Sequence, residues 1–178
     1  MSFHATIACL DAPGPHLCVG IDPSASTLGK WGLDDTPASL RTFGMTIVEA
    51  AAGLAPVVKP QVAFFERFGP EGFAVLTEVI AAGRDRGLLV IADAKRGDIG
   101  STCEGYARAW LGDGAPMQAD AVTVTAYLGL RALDPILDRA AACGACCFVV
   151  LRSSNPEGSP LQMHGADAGQ PPLWHVLM

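Results

Sequence analysis

The chain has 178 residues, half of them hydrophobic and 17% charged, with a formal net charge of −6. That balance supports a sizeable packed core and argues against general nucleic-acid binding or adhesion to an anionic membrane. No apolar run reaches the roughly 18 residues of a membrane span, and the N-terminus lacks the basic and apolar regions of a signal peptide, so a soluble cytoplasmic protein is expected.

In chain order, Leu17-Cys18-Val19-Gly20-Ile21-Asp22 reads as a strand and Ser39 to Leu54 as an amphipathic helix. Pro56 to Gln61 is a second strand, followed by a helix from Glu71 to Arg86. Leu88 to Lys95 is a third strand, apolar enough to be covered on both faces. Ser101-Thr102-Cys103-Glu104 has the spacing of a capping box and predicts a helix toward Leu111. Ala121 to Tyr127 is a fourth strand, Leu130 to Cys143 a helix, and Cys146 to Ser153 a fifth strand. Strict β-α alternation at about 30 residues per unit means parallel strands with helical crossovers.

Two architectures fit, an open doubly wound sheet and a (β/α)8 TIM barrel. The dinucleotide version of the first needs a glycine-rich turn after its first strand, and Asp22-Pro23-Ser24-Ala25-Ser26 is neither GxGxxG nor a P-loop. Polar residues instead recur at the ends of successive strands: Asp22, Lys59, Asp93 with Lys95, Thr123 with Thr125, and Ser153 with Ser154. Functional groups drawn from several strand ends are the pattern of a barrel, which is the expected fold.

The densest of these positions is Asp93-Ala94-Lys95-Arg96-Gly97-Asp98. Residues two apart share a face of a strand, so Ile91, Asp93 and Lys95 are expected on one face and Val90, Ala92 and Ala94 on the other. Buried charges must pair, and a structural ion pair would satisfy that requirement alone. Lysine usage favours more than structure. Of twelve lysines and arginines only Lys30, Lys59 and Lys95 are lysines, and two of these stand at strand ends. A lysine supplies a movable proton, which arginine does not. Cys143-Gly-Ala-Cys146 has CxxC spacing but no second pair, and the six cysteines are read as small buried thiols. His4, His16, His164 and His175 share no ligand spacing and are read as surface or loop residues.

The run Asp93-Ala-Lys95-Arg96-Gly97-Asp98-Ile99-Gly100-Ser101-Thr102 closely resembles the active-site signature of the orotidine 5′-phosphate decarboxylases. The stretch Val58-Lys59-Pro60-Gln61 through Gly69 looks like their longer-chain bacterial subgroup. Cys18 to Pro23, Trp31-Gly32-Leu33, Tyr127-Leu128-Gly129 and Ser154 to Gly158 follow the same pattern, in order, from about residue 17 to 165. The resemblance implies conversion of orotidine 5′-phosphate to UMP and CO2 in pyrimidine biosynthesis, without metal, flavin or pyridoxal. By it, Asp22 would bind the ribose hydroxyls, and Lys59 would bind ribose and stand at one end of a charge array. Asp93 would sit beside the substrate carboxylate, and Lys95 would protonate C6 as CO2 leaves. Asp98 and Thr102 would reach into the partner's site of a homodimer, and Ser154 would contact the pyrimidine. Asp22 has a plainer alternative as a turn cap, Thr102 as part of the capping-box turn, and Tyr127 as a core residue.

Two departures accompany the resemblance. Thr123-Val124-Thr125-Ala126-Tyr127 lacks the Asn-Pro or Ser-Pro expected before the tyrosine. Five β-α units occupy about 155 residues where a barrel typically needs about 250, so a single partial barrel domain over 1–178, lacking its C-terminal units and phosphate-gripping loops, is expected. Its open edges would favour aggregation. The alternatives are a related sugar-phosphate lyase or aldolase using the same DxKxxD array, with magnesium, and an inactive barrel fragment.

Overall fold

The computed structural model describes Phe3 and residues 17–177. Five strands, β1 (Cys18–Ile21), β2 (Val57–Pro60), β3 (Leu89–Arg96), β4 (Ala121–Thr125) and β5 (Cys146–Val150), form one parallel sheet in the order β1-β2-β3-β4-β5. A doubly wound sheet reverses its strand order at a switch point, whereas here each strand lies beside its predecessor without reversal. This is the wall of a TIM-barrel-like fold, with about five β-α units, as the alternation predicts.

The helices are α1 (Ala25–Lys30), α2 (Pro37–Ala51), α3 (Val62–Glu66), α4 (Gly69–Asp85), α5 (Gly100–Trp110), α6 (Asp134–Cys143), α7 (Ser159–Gln162) and α8 (Leu173–Val176). The two sheet faces follow the alternation of the strands. Val58, Val90, Ala92, Val122 and Val124 join Leu40, Phe43, Leu76 and Val79 of α2 and α4 in the main core. Val57, Leu89, Ile91 and Ala121 face the other way and form a second cluster with Phe3. Polar residues on this inner face continue the same rows toward the C-terminal ends of the strands. None of the helices among the described residues is long and apolar enough to cross a membrane.

Several boundaries differ from expectation for local reasons. Helix α2 starts earlier because Thr36 caps it, accepting the Ser39 N–H at 3.2 Å, with Pro37 in the first turn. The short helices α1 and α3 lie in segments read as connections. Helix α5 does not use the capping box: its N-cap is Ile99, so Ser101 falls inside the helix and Glu104 pairs with Arg108 at 2.6 Å. The Asp98 carboxylate instead accepts the Ile99 N–H at 2.8 Å at the helix entrance. Strand β4 stops at Thr125, leaving Tyr127 74% exposed rather than in the core. Strand β5 stops at Val150, since Ser153 is drawn into a loop by Gln162, whose Oε1 accepts the Ser153 N–H at 3.0 Å.

The reading of the cysteines as buried thiols needs correction. Cys103 is buried, Cys146 and Cys147 are half-buried, and Cys18 and Cys143 are exposed. Cys143 lies in the last turn of α6, which ends at a left-handed Gly144, so its side chain reaches solvent at a helix terminus. Cys9, His4 and His16 lie outside the described residues; His164 and His175 are exposed.

Candidate active site

The site is built around one carboxylate. Asp93 stands near the end of β3 with its side chain 11% exposed. Lys59 Nζ, from the end of β2, donates to Asp93 Oδ2 at 2.8 Å. Lys95 Nζ donates to Asp93 Oδ1 at 2.7 Å, and the Thr123 hydroxyl of β4 donates to the same oxygen at 2.9 Å. Three adjacent strand ends thus converge on Asp93. The two ammoniums remain accessible, with the Lys59 side chain 32% and that of Lys95 47% exposed.

The strand geometry that produces this convergence is irregular. Residues 91 and 92 of β3 pair with 121 and 122 of β4, but Arg96 then pairs with Val124, so the register shifts between Ala92 and Arg96. The surplus is taken up in a bulge where Lys95 adopts a left-handed φ of 49°. A side-chain-bearing residue there carries a cost of about 1–2 kcal/mol. Lys95 N–H donates to Thr123 Oγ1 at 2.9 Å. Arg96 turns away from the array: its guanidinium pairs with Glu66 at 2.8 Å and lies near the rings of Tyr106 and Trp110.

Burial pushes the Asp93 carboxyl up, but hydrogen bonds from Lys59, Lys95 and Thr123, with the Lys59 charge, outweigh it and hold the group below the ordinary carboxylate range. Burial likewise works against the charged Lys59 and is overcome by the Asp93 hydrogen bond and the charges of Asp93 and Asp22, leaving its ammonium above its ordinary value. The cluster is therefore ionised throughout the neutral range at Asp93 and Lys59.

The other expected residues are placed as follows. Asp22 follows β1 and is half-buried, near enough to Lys59 to favour its charge. Ser24, not Asp22, caps the following helix, accepting the Thr27 N–H at 3.0 Å. Asp98 lies in the loop after β3, half-buried and bonded to Ile99 N–H rather than joined to the Lys59–Asp93–Lys95 cluster. Thr102 is exposed in the first turn of α5. Ser154 is exposed after β5, in a cavity also lined by Arg152, Asn155 and Gln162. The array assembled within this chain is thus Lys59–Asp93–Lys95 with Thr123. Thr123 stood among the strand-end polar residues but had no role; its signal was a hydroxyl at a buried position two residues after Ala121. Cys18 lies on β1; the residue as a whole is exposed, but its thiol is partly shielded from water, which pushes it up, and the charges of Lys59 and Asp93 act on it in opposite directions. Among the described residues no group of three His, Cys, Asp or Glu side chains is arranged to hold a metal ion.

A parallel α/β sheet in sequential strand order, with Lys59, Asp93 and Lys95 gathered at adjacent strand ends, defines the class as that of TIM-barrel-like folds. The chain belongs to the orotidine 5′-phosphate decarboxylase / HUMPS family, whose sequence profile matches residues 15–173. It is 52% identical over 153 residues to the orotidine 5′-phosphate decarboxylase of Myxococcus xanthus, covering 86% of this chain and 53% of that one. It is 55% identical over 146 residues to that of Corynebacterium efficiens, covering 82% and 52%. A Streptomyces avermitilis crystal structure assigned to the same decarboxylases superposes with a TM-score of 0.90 at 46% identity, covering 99% of this chain and 62% of that one. The Leishmania donovani OMP decarboxylase gives 0.79 at 32% identity, covering 99% and 63%. The chain spans about half the length of the curated relatives it matches.

Proposed function

We propose that this chain carries the decarboxylating array of an orotidine 5′-phosphate decarboxylase, which converts orotidine 5′-phosphate to UMP and CO2 without cofactor. The observation that carries this reading is the pair of ammoniums, Lys59 and Lys95, bound to opposite oxygens of the one carboxylate Asp93 at the strand ends. Breaking the bond between C6 and its carboxylate leaves the electron pair on a ring carbon that delocalises it poorly. A fixed ammonium beside that carbon stabilises the charge as it develops and needs no reorganisation during the step. Lys95, the more exposed of the two, then transfers an N–H proton to C6. In this reading Asp93 lies beside the substrate carboxylate, and its two oxygens hold both lysines in place. Asp22 and Lys59 bind the ribose hydroxyls, and Ser154 the pyrimidine.

Asp98 and Thr102, outside the in-chain cluster, are proposed to complete the partner's site in a homodimer. The domain is proposed to be one part of a full barrel, with the phosphate held by units beyond the five described. The test is loss of orotate absorbance on mixing with orotidine 5′-phosphate, with the chain as it stands and with the chain joined to the remaining barrel units of a relative. Turnover in the presence of a chelator, reduced at least about 10³-fold in Lys95→Ala, is the expected result. Turnover indifferent to Lys95→Ala would sink the assignment of the proton donor. Turnover abolished by the chelator would favour a metal-dependent sugar-phosphate lyase.

A further inference from the structure

We propose that Thr123 is a positioning residue: its hydroxyl holds the Lys95 backbone in the left-handed turn that returns the ammonium to Asp93. This deepens the reading of Lys95 as proton donor and rests on it. The register shift between Ala92 and Arg96 removes the regular ladder at the point where Lys95 sits. Its N–H, denied a β4 carbonyl, is taken by Thr123 Oγ1 at 2.9 Å. An amide can only donate and a carboxylate only accept, so the single hydroxyl proton of Thr123 is committed to Asp93 Oδ1, 2.9 Å away. The result is a closed ring. Lys95 is tied to Asp93 directly through Nζ at 2.7 Å, and through its own backbone by way of the hydroxyl. Residue 123 is 8% exposed, so water is a poor substitute for either bond. Serine would keep the ring. Valine, close to threonine in shape, would orphan the Lys95 N–H and release Lys95 from its left-handed φ of 49°.

The test exploits the lysine count. With only Lys30, Lys59 and Lys95 in the chain, lysine-selective ¹⁵N labelling yields three backbone amide signals, assigned by single Lys→Arg variants. Thr123→Val is expected to move the Lys95 amide signal and leave that of Lys30. In the active enzyme it should lower kcat by about 10- to 100-fold with KM little changed, as for a lost hydrogen bond to a charged group. Thr123→Ser should restore both. A Lys95 signal unmoved by valine overturns the proposal, and so does a kcat unchanged by it. If the unsubstituted enzyme fails to turn over orotidine 5′-phosphate, the functional reading fails separately and the amide signal still decides: displaced by valine and restored by serine supports the anchoring role, unmoved refutes it.

Discussion

Replacing Asp93 by Asn tests whether the site is held together by its central charge. In the native chain Lys59 and Lys95 bind opposite oxygens of this carboxylate at 2.8 and 2.7 Å. The ammoniums therefore stand no more than about 8 Å apart, and at an effective dielectric of about 20 two uncompensated charges at that distance repel by about 2 kcal/mol. Removing one partner of a well-buried ion pair costs about 3–5 kcal/mol. Lys95 is 47% exposed and can swing into water, which lowers the penalty. A net loss of about 2–3 kcal/mol at pH 7 is expected for Asp93→Asn, measured by urea unfolding with tryptophan fluorescence. The pH dependence gives a second check. The Asp93 carboxyl is held below its ordinary value of 3.8, so its contribution is present above that value and is lost as pH falls through the lower folded-state value. The gap between native and variant should be flat from about pH 5 to 7 and narrow below about pH 4. Lys59 acts at the other end: its value is raised above 10.5, so its contribution is complete below 10.5 and disappears as pH rises through the higher folded-state value. An Asp93→Asn chain as stable as the native one at pH 7, or more so, would refute this reasoning. It would show that the cost of burying Asp93 exceeds what its three partners return.

Two further outcomes are expected. A Cβ at Gly97 would stand 2.5 Å from the Thr125 carbonyl oxygen and 2.7 Å from its hydroxyl, so Gly97→Ala must displace the loop that carries Asp98. It should cost about 1–3 kcal/mol in urea unfolding and reduce turnover, and a variant of native stability and activity would contradict the close approach. Iodoacetamide at mildly alkaline pH, followed by peptide mass spectrometry, should modify exposed Cys143 first and leave Cys103 and Cys147 until the chain unfolds. Burial, reinforced by the neighbouring thiols, pushes Cys147 up to about 12, so early labelling of that residue would contradict its placement.

The β-α alternation was legible because parallel strands covered by helices need apolar runs separated by amphipathic segments, and these are what Leu88–Ala92 and Ser39–Leu54 present. Lys59, Asp93 and Lys95, which the structure brings into contact, were legible for a related reason: charge at the end of such a run has no packing explanation. Helix entrances were less legible: the SxxE spacing of Ser101 and Glu104 is a local signal, but the helix starts at Gly100 with Ile99 as its N-cap, and Glu104 pairs forward with Arg108. Cysteine burial was misread because an Ala-rich surrounding in sequence says nothing of which side of a helix terminus Cys143 occupies. Ser153 carried no sequence signal for its loop, which is set by Gln162 nine residues away.

The convergence on Asp93 shows why a correct pattern can rest on incomplete geometry. Alternation alone puts Asp93 and Lys95 on one face, but side chains two apart on a regular strand stand roughly parallel, about 7 Å apart along the chain. They would project side by side, not necessarily with ammonium on carboxylate. The bulge brings them together by breaking the strand, turning Lys95 through a left-handed φ and shifting Arg96 two positions against β4. That conformation is costly for lysine, and a replacement ladder partner is needed to hold it. The partner is a β4 side chain, Thr123, 28 residues further along the chain. A DxK spacing therefore specifies which charges belong together, while the contact between them is completed by a hydroxyl on the neighbouring strand.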